Sequence, residues 1–190
     1  MASEVDIANR ALQKLGAARI VSLADDSENA RECALCYAPV RDAELRAHPW
    51  NFSIKRAQLA ADAVAPVFGY ANAYQLPTDC LRLLPPDVSV NYNSFDLQVE
   101  GRKILTDVGA PLEIRYVCRI EDTNLFDALF VEGLACKMAV ELCEKLTQSN
   151  SKGAVAREDY KYTIREAKKL NAFENISAEQ QTDRWITCRI

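Results

Sequence analysis

The sequence predicts an α+β fold: a helical bundle of two N-terminal and two C-terminal helices, with a strand-rich antiparallel insert between the pairs. Apolar residues recur at helical spacing near both ends of the chain, whereas apolar and polar residues alternate in the middle, where Pro and Gly are frequent. Runs of helices on either side of a run of strands are typical of α+β proteins. We therefore divide the chain into a bundle (1–50 and 120–175), an insert (51–119) and an extended C-terminal tail (176–190).

The first helix is expected over residues 4–15. Ser3 suits the N-cap position, and Gly16 suits the left-handed position that follows many helices. Four apolar residues recur between them at helical spacing: Val5, Ala8, Leu12 and Leu15.

The second helix is expected to begin after Ser27 and to end at His48, because the residue before a proline avoids helical backbone angles. Pro39 lies inside this stretch and removes an amide donor, so we expect a kink or a split there. The inward face is predicted to hold Ala30, Cys33, Ala34, Tyr37, Val40, Ala43 and Leu45.

The insert contains one clear hairpin. Residues 95–99 and 103–105 alternate in polarity on either side of Gly101, which suits a tight turn. A further strand over 112–116 is predicted to direct three side chains to one face: Leu112, Ile114 and Tyr116.

Two more helices are expected after Asp122. The first begins near Leu125 and is apolar around so much of its circumference that it is predicted to lie at the centre of the bundle. Residues 149–153 are expected to break it. A helix of mixed charge then follows from about 154 to 170.

Composition limits the function classes. The chain has 190 residues, 49% hydrophobic and 26% charged, with a net charge of −4, as is usual for a globular protein. It has no apolar run long enough for a spanning helix, so we expect no membrane association. The N-terminus lacks the pattern of a signal peptide, so we expect synthesis in the cytoplasm. A pI near 5.2 argues against a dedicated nucleic-acid binder.

Candidate catalytic and metal-binding residues are few. Cys33 and Cys36 have CxxC spacing, but a structural zinc site needs a second ligand pair. We interpret the seven cysteines mainly as small buried apolar residues and expect no disulfide framework. His48 is the only histidine, and its expected role is to meet the carbonyl groups at a helix end.

Acidic pairs and nucleotide motifs add no site. Asp25 with Asp26, and Glu121 with Asp122, lie in polar loops beside helices, where capping accounts for them. The phosphate-binding patterns GxGxxG and GxxxxGK[ST] are absent from the sequence. We therefore predict no catalytic residues, no metal site and no cofactor, and we do not expect an enzyme.

Nine short motifs follow one another in an order that resembles the tail tubular protein A family, the head-to-tail adaptor proteins of short-tailed phages. The resemblance covers most of the chain. The motifs are ALQKLG (11–16), IVSL (20–23), DSENA (26–30), YAPVRD (37–42), LRAHPWNF (45–52), FGY (68–70), YQLPTDCLR (74–82), VEGRKILT (99–106) and IRY (114–116).

This resemblance implies a structural protein of the virion, located at the head–tail junction. Members of the family form a ring, usually of twelve copies, between the portal protein at the capsid vertex and the tail nozzle protein. The ring encloses the channel through which DNA leaves, without specific binding. The helices would form the ring wall, and the C-terminal segment would reach toward the portal. The insert would make contacts toward the tail side, and its strands would supply lateral contacts.

Trp185 and Ile186 are the predicted partner-binding residues. They follow a polar stretch over 178–183 that cannot build a core, and exposed aromatic anchors suit a binding hot spot. The alternative is that Trp185 folds back on the bundle. For the whole chain, the alternative functions are a DNA-binding regulatory protein and a small helical enzyme of unknown chemistry.

Overall fold

The computed structural model describes residues 2–85 and 97–174. Four helices and two small antiparallel sheets occur in these ranges, which confirms an α+β fold with the strands between the helices. The helices are α1 (Glu4–Leu15), α2 (Glu28–Ala47), α3 (Ala128–Thr147) and α4 (Asn150–Phe173). The strands are β1 (Ile54–Leu59), β2 (Asn72–Gln75), β3 (Cys80–Leu83), β4 (Leu97–Glu100), β5 (Lys103–Thr106) and β6 (Leu112–Cys118). No helix in the described ranges is long and apolar enough to cross a bilayer.

The bounds of α1 are those that the sequence predicts, because local side chains determine both ends. Ser3 Oγ accepts a hydrogen bond from the Asp6 amide at 3.1 Å, and the Asp6 carboxylate accepts one from the Ser3 amide at 2.9 Å. This reciprocal pair is a capping box. At the other end Gly16 has a φ of 70°, the left-handed conformation expected of it.

Helix α2 runs without a break through Pro39, so of the kink or split expected there, the split is wrong. Pro39 lies on the exposed face of the helix, and the side chain of Leu35, one turn earlier, is 72% exposed. Solvent can therefore bond to the Leu35 carbonyl that the proline leaves without its usual donor.

The predicted inward face of α2 is wrong at two positions, since Ala34 and Ala43 are exposed. The buried stripe instead includes Arg41 and Glu44, two charged residues that each have a partner. Arg41 forms an ion pair with Asp42 at 2.9 Å, and Glu44 accepts a hydrogen bond from the Tyr160 hydroxyl at 2.7 Å. Burial of charged groups is tolerated when they are paired in this way.

Helix α3 contacts α1, α2 and α4, as predicted for the central helix. It begins at Ala128 rather than near Leu125, because the Asp127 carboxylate accepts hydrogen bonds from the amides of the first turn. Leu125 belongs to a preceding 3-10 turn and is 58% exposed. Nine residues of α3 are buried: Phe130, Gly133, Leu134, Ala135, Cys136, Met138, Ala139, Leu142 and Cys143.

Helix α4 begins at Asn150, about four residues before the predicted start. Ser149 caps it by accepting a hydrogen bond from the Lys152 amide, and the break is at Gln148, whose φ is 48°. Gly153 therefore lies inside the first turns of α4 and is buried against α3. A Cβ added at Gly133 would lie 3.2 Å from the Ile164 side chain, so α3 and α4 pack closely there.

The six strands form two antiparallel sheets, with orders β1-β6-β3 and β2-β5-β4. In the hairpin, Glu100 pairs with Lys103 and Gly101 has a φ of 59°, which confirms the predicted turn. Residues 95 and 96 of the predicted strand lie outside the described residues. On β6 the three predicted inward side chains are buried: Leu112, Ile114 and Tyr116.

Four aromatic rings join the insert to the bundle. Trp50 and Phe52 lie where the chain enters the insert, Phe126 lies where it returns, and Phe130 belongs to α3. The Phe130 ring lies 5.1 Å from each of the other three, centroid to centroid. Trp50 is 1% exposed, and its indole N–H donates to the Glu44 carbonyl at 3.1 Å. We call these four residues the junction cluster.

The central position of α3 predicts a large difference between two leucines. Leu134→Ala should lower the free energy of unfolding by about 2–5 kcal/mol, because Leu134 is fully buried and truncation leaves a cavity. Leu125→Ala is the matched control and should cost less than about 0.5 kcal/mol. Guanidinium denaturation measures both values, and equal losses would contradict this description of the core.

Candidate interaction surfaces

The predicted partner-binding residues Trp185 and Ile186 lie outside the described residues. Description ends at Glu174, one residue after α4. The candidate surfaces among the described residues belong to the bundle and to the insert.

The last turn of α4 is attached to the start of the insert by Asn171. Its side-chain Oδ1 accepts from the Asn51 amide, and its backbone carbonyl accepts from Asn51 Nδ2, both at 2.9 Å. Asn171 Nδ2 also lies 3.2 Å from His48 Nε2. This arrangement fixes the place from which the chain leaves α4, close to the junction cluster.

His48 is the C-cap residue of α2, but its ring meets a side chain that the sequence did not indicate. The imidazole contacts the Asn171 amide and lies edge-on to Trp50, with centroids 4.7 Å apart. Burial lowers the pKa of His48, and the positive charges of Lys168 and Arg82 lower it further. The neutral imidazole can accept a hydrogen bond from the side-chain amide of Asn171.

The six cysteines in the described ranges are free thiols, and five of them are buried, which supports their interpretation as small apolar residues. Burial raises the pKa of Cys33 to about 11 and that of the half-buried Cys36 to about 12. Such thiols carry little thiolate and are weak nucleophiles near neutral pH. Within residues 2–85 and 97–174, no group of three or more His, Cys, Asp or Glu could hold a metal ion.

Among the loop carboxylates, Asp122 has the capping role that the sequence predicts, whereas Asp25 bonds to loop amides and caps no helix. Asp25 accepts hydrogen bonds from the amides of Val21 and Ser22 at 2.8 and 3.0 Å. Asp122 caps the 3-10 turn by accepting from the Asn124 amide. These bonds stabilise the loop backbone and leave both groups as structural residues.

A polar cluster lies beside the sheet that contains β6. Asp79 pairs with Lys55 at 2.9 Å and accepts a hydrogen bond from the Tyr116 hydroxyl at 3.1 Å. Burial opposes ionisation of Asp79, but these two partners outweigh it and lower its pKa. Burial, reinforced by the carboxylate, raises the pKa of Tyr116 to about 12. The cluster ties β1 and β6 to the turn before β3.

An apolar loop over residues 62–71, here called the insert loop, projects from the insert. Its side chains include Val64, Val67 and Phe68, which are 77%, 96% and 87% exposed. Exposed apolar side chains that are neighbours in sequence and space mark interaction surfaces more often than scattered single ones do.

Both ends of the insert loop are held firmly. At the start, the Asp62 amide donates to the Ala73 carbonyl at 2.8 Å, and the Asp62 carboxylate pairs with Lys103 at 2.8 Å. At the end, the Ala71 amide donates to the Asp107 carboxylate at 2.8 Å. The tip therefore presents its apolar side chains from anchored strands.

A cavity of about 400 Å³ lies between the insert loop and the hairpin strands. Apolar residues of the loop form one wall, and residues of β4 and β5 form the other. In the sequence, residues 68–70 of this segment belong to the motifs that resemble the tail tubular protein A family, but they do not by themselves predict an exposed surface. The sequence feature that indicates this surface is the apolar run over residues 63–69. Apolar and polar residues do not alternate in it, so it is typical neither of a half-buried strand nor of a solvated loop.

Comparison with protein-family profiles and with curated proteins found no match for this chain.

The environment of His48 predicts a pH effect on stability. Because its pKa is lower in the folded protein than in the unfolded chain, the unfolded state binds the proton more readily. The free energy of unfolding should therefore decrease as the pH falls below about 6.5 and then through the lower pKa that His48 has in the folded protein.

The variant His48→Gln should reduce the loss of stability between pH 7.5 and pH 5.5, measured by urea denaturation. Gln keeps an acceptor for Asn171 but cannot be protonated in this range. An unchanged loss in the variant would show that other groups cause the pH dependence.

Proposed function

We propose that this protein is a virion structural protein, an adaptor that forms a ring between the portal protein and the tail nozzle protein. The ordered motifs that resemble the tail tubular protein A family support this proposal. The fold is compatible with it, since a helical bundle carries a strand-rich insert between its two pairs of helices.

The insert loop is the observation that carries the proposal. A protein of a ring needs surfaces that are apolar enough to associate and stiff enough to set a fixed angle between copies. Val67 and Phe68 supply exposed apolar area, and the anchors at Asp62 and Ala71 limit the loss of freedom on association. We assign this loop to the contact with an adjacent copy in the ring.

A second feature supports the same proposal. The junction cluster fixes the start and the end of the insert against α3, and Asn171 fixes the end of α4 to the same region. A contact made by the insert would therefore be held at a defined angle to the helices. A ring wall requires that property of each copy.

Assembly tests the proposal. The chain should form rings when mixed with the portal protein encoded by the same genome, as seen by mass photometry and negative-stain microscopy. Phe68→Ser should weaken assembly at least about tenfold, because a hot-spot aromatic is removed from the contact, while the Tm stays unchanged.

The matched control is Val21→Ser. Val21 is 90% exposed, comparable with Phe68, but belongs to the loop between α1 and α2 and not to the insert, so its replacement should leave assembly intact. A chain that stays monomeric with both the portal and the nozzle proteins would contradict the proposal. Equal losses for the two variants would contradict the assignment of the loop.

The proposed channel should let DNA pass without binding it. Twelve copies would carry about −48 formal charges, and a net charge of that sign disfavours adhesion of a polyanion. We expect no measurable affinity of the assembled ring for duplex DNA at physiological salt, by fluorescence anisotropy. A micromolar Kd with a steep salt dependence would favour the alternative of a DNA-binding regulatory protein.

A further inference from the structure

Two buried thiols lie opposite each other on neighbouring strands. Cys80 is the first residue of β3, Cys118 is the last of β6, and the two are direct partners in the antiparallel register. The register shifts by one residue between Cys80 and Arg82, so the pair lies beside a β-bulge. They are 8% and 0% exposed. Opposed residues of an antiparallel pair direct their side chains to the same face of the sheet.

The hydrogen bonds around this pair define its type. The Arg119 amide donates to the Asp79 carbonyl at 2.7 Å, one residue beyond the cysteines on each strand. In an antiparallel ladder, a bond between the residues that flank a pair in this way marks a non-hydrogen-bonded pair. The Cys80 amide itself donates to the Pro77 carbonyl at 3.0 Å. Cys80 and Cys118 are therefore a non-hydrogen-bonded pair, the type in which the strands approach most closely.

That type of pair suits a disulfide. In a regular pair of this type the Cα atoms lie about 4.5 Å apart, within the range of about 4.4–6.8 Å that disulfides span. Cys33 and Cys36 are three residues apart on a helix, where Cβ atoms lie about 5–6 Å apart, beyond the roughly 3.5–4.5 Å that a disulfide needs. Cys136 and Cys143 are about two helical turns apart.

We propose that Cys80 and Cys118 are a modification site at which a low-molecular-weight disulfide, such as oxidised glutathione, forms an intrachain disulfide. One thiol loses its proton and attacks the reagent, and a mixed disulfide forms as the first glutathione thiolate leaves. The second thiol then attacks the protein sulfur and expels the second glutathione. Two protein thiols are oxidised and one reagent disulfide is reduced to two thiols.

The environment of the pair makes the reaction depend on the compartment. Burial raises the pKa of both thiols, although Arg102 and Lys55 partly offset it. The thiols should persist in a reducing cytoplasm and react slowly in the folded chain. Once formed, the bond would link edge strand β3 to central strand β6 and close a loop of about 40 residues. This inference does not depend on the proposed adaptor function.

Mass spectrometry tests the site on the full chain. The protein is equilibrated with oxidised glutathione in two ways, as the folded protein and during refolding from urea, so that burial cannot prevent the reaction. The intact mass should fall by two hydrogen atoms. Trypsin should then release residues 57–82 linked to residues 116–119, since cleavage after Arg56, Arg82, Arg115 and Arg119 leaves one cysteine in each peptide. The Tm should rise by about 5–15 °C.

Two substitutions complete the test. Cys118→Ala should abolish the linked peptides and the rise in Tm, and Cys80→Ala should do the same if Cys118→Ala fails to fold. Cys33→Ala, which removes an equally buried thiol from α2, should leave both intact. The proposal is overturned if Cys80 and Cys118 can still be alkylated after both treatments, or if the cross-link joins other cysteines.

Discussion

The junction cluster is the interaction on which the rest of this structure depends. Trp50, Phe52 and Phe126 come from the two chain crossings between bundle and insert, and all three rings contact Phe130 of the central helix. Aromatic pairs in edge-to-face geometry add to the large apolar area that such residues bury. One residue of α3 thus holds both crossings, so the insert has a defined position on the bundle.

Other features of the molecule are attached to the same region. Asn171 bonds to Asn51, between the first two rings of the cluster, and His48 lies edge-on to Trp50. The end of α4 and the start of the insert therefore share one anchor. In the proposed ring, contacts made by the insert and by residues after α4 would keep a fixed relation to each other, as an adaptor between two partners requires.

Local chemistry explains what the sequence could predict. The bounds of α1 follow from Ser3 and Gly16, and the hairpin follows from Gly101, because each signal acts within a few residues. Pro39 does not split α2 because it faces solvent, and this depends on surroundings that the sequence does not show. The start of α3 is predicted too early, near Leu125, because apolar spacing is followed there although the local cap residue is Asp127. The periodicity of apolar residues does not show which distant segments of the chain come into contact. For this reason the sequence did not predict the junction cluster, the exposed insert loop or the pairing of Cys80 with Cys118. The predicted docking residues Trp185 and Ile186 stay predictions.

The proposed adaptor role is tested most directly by cryo-electron microscopy of the virus particles that, on this proposal, the genome encoding this chain produces. The account predicts a ring of this fold between the portal and the nozzle, with the bundle in the wall and Phe68 of each copy buried against the adjacent copy. Particles that lack the chain, or a ring in which Phe68 of every copy faces solvent, would contradict it.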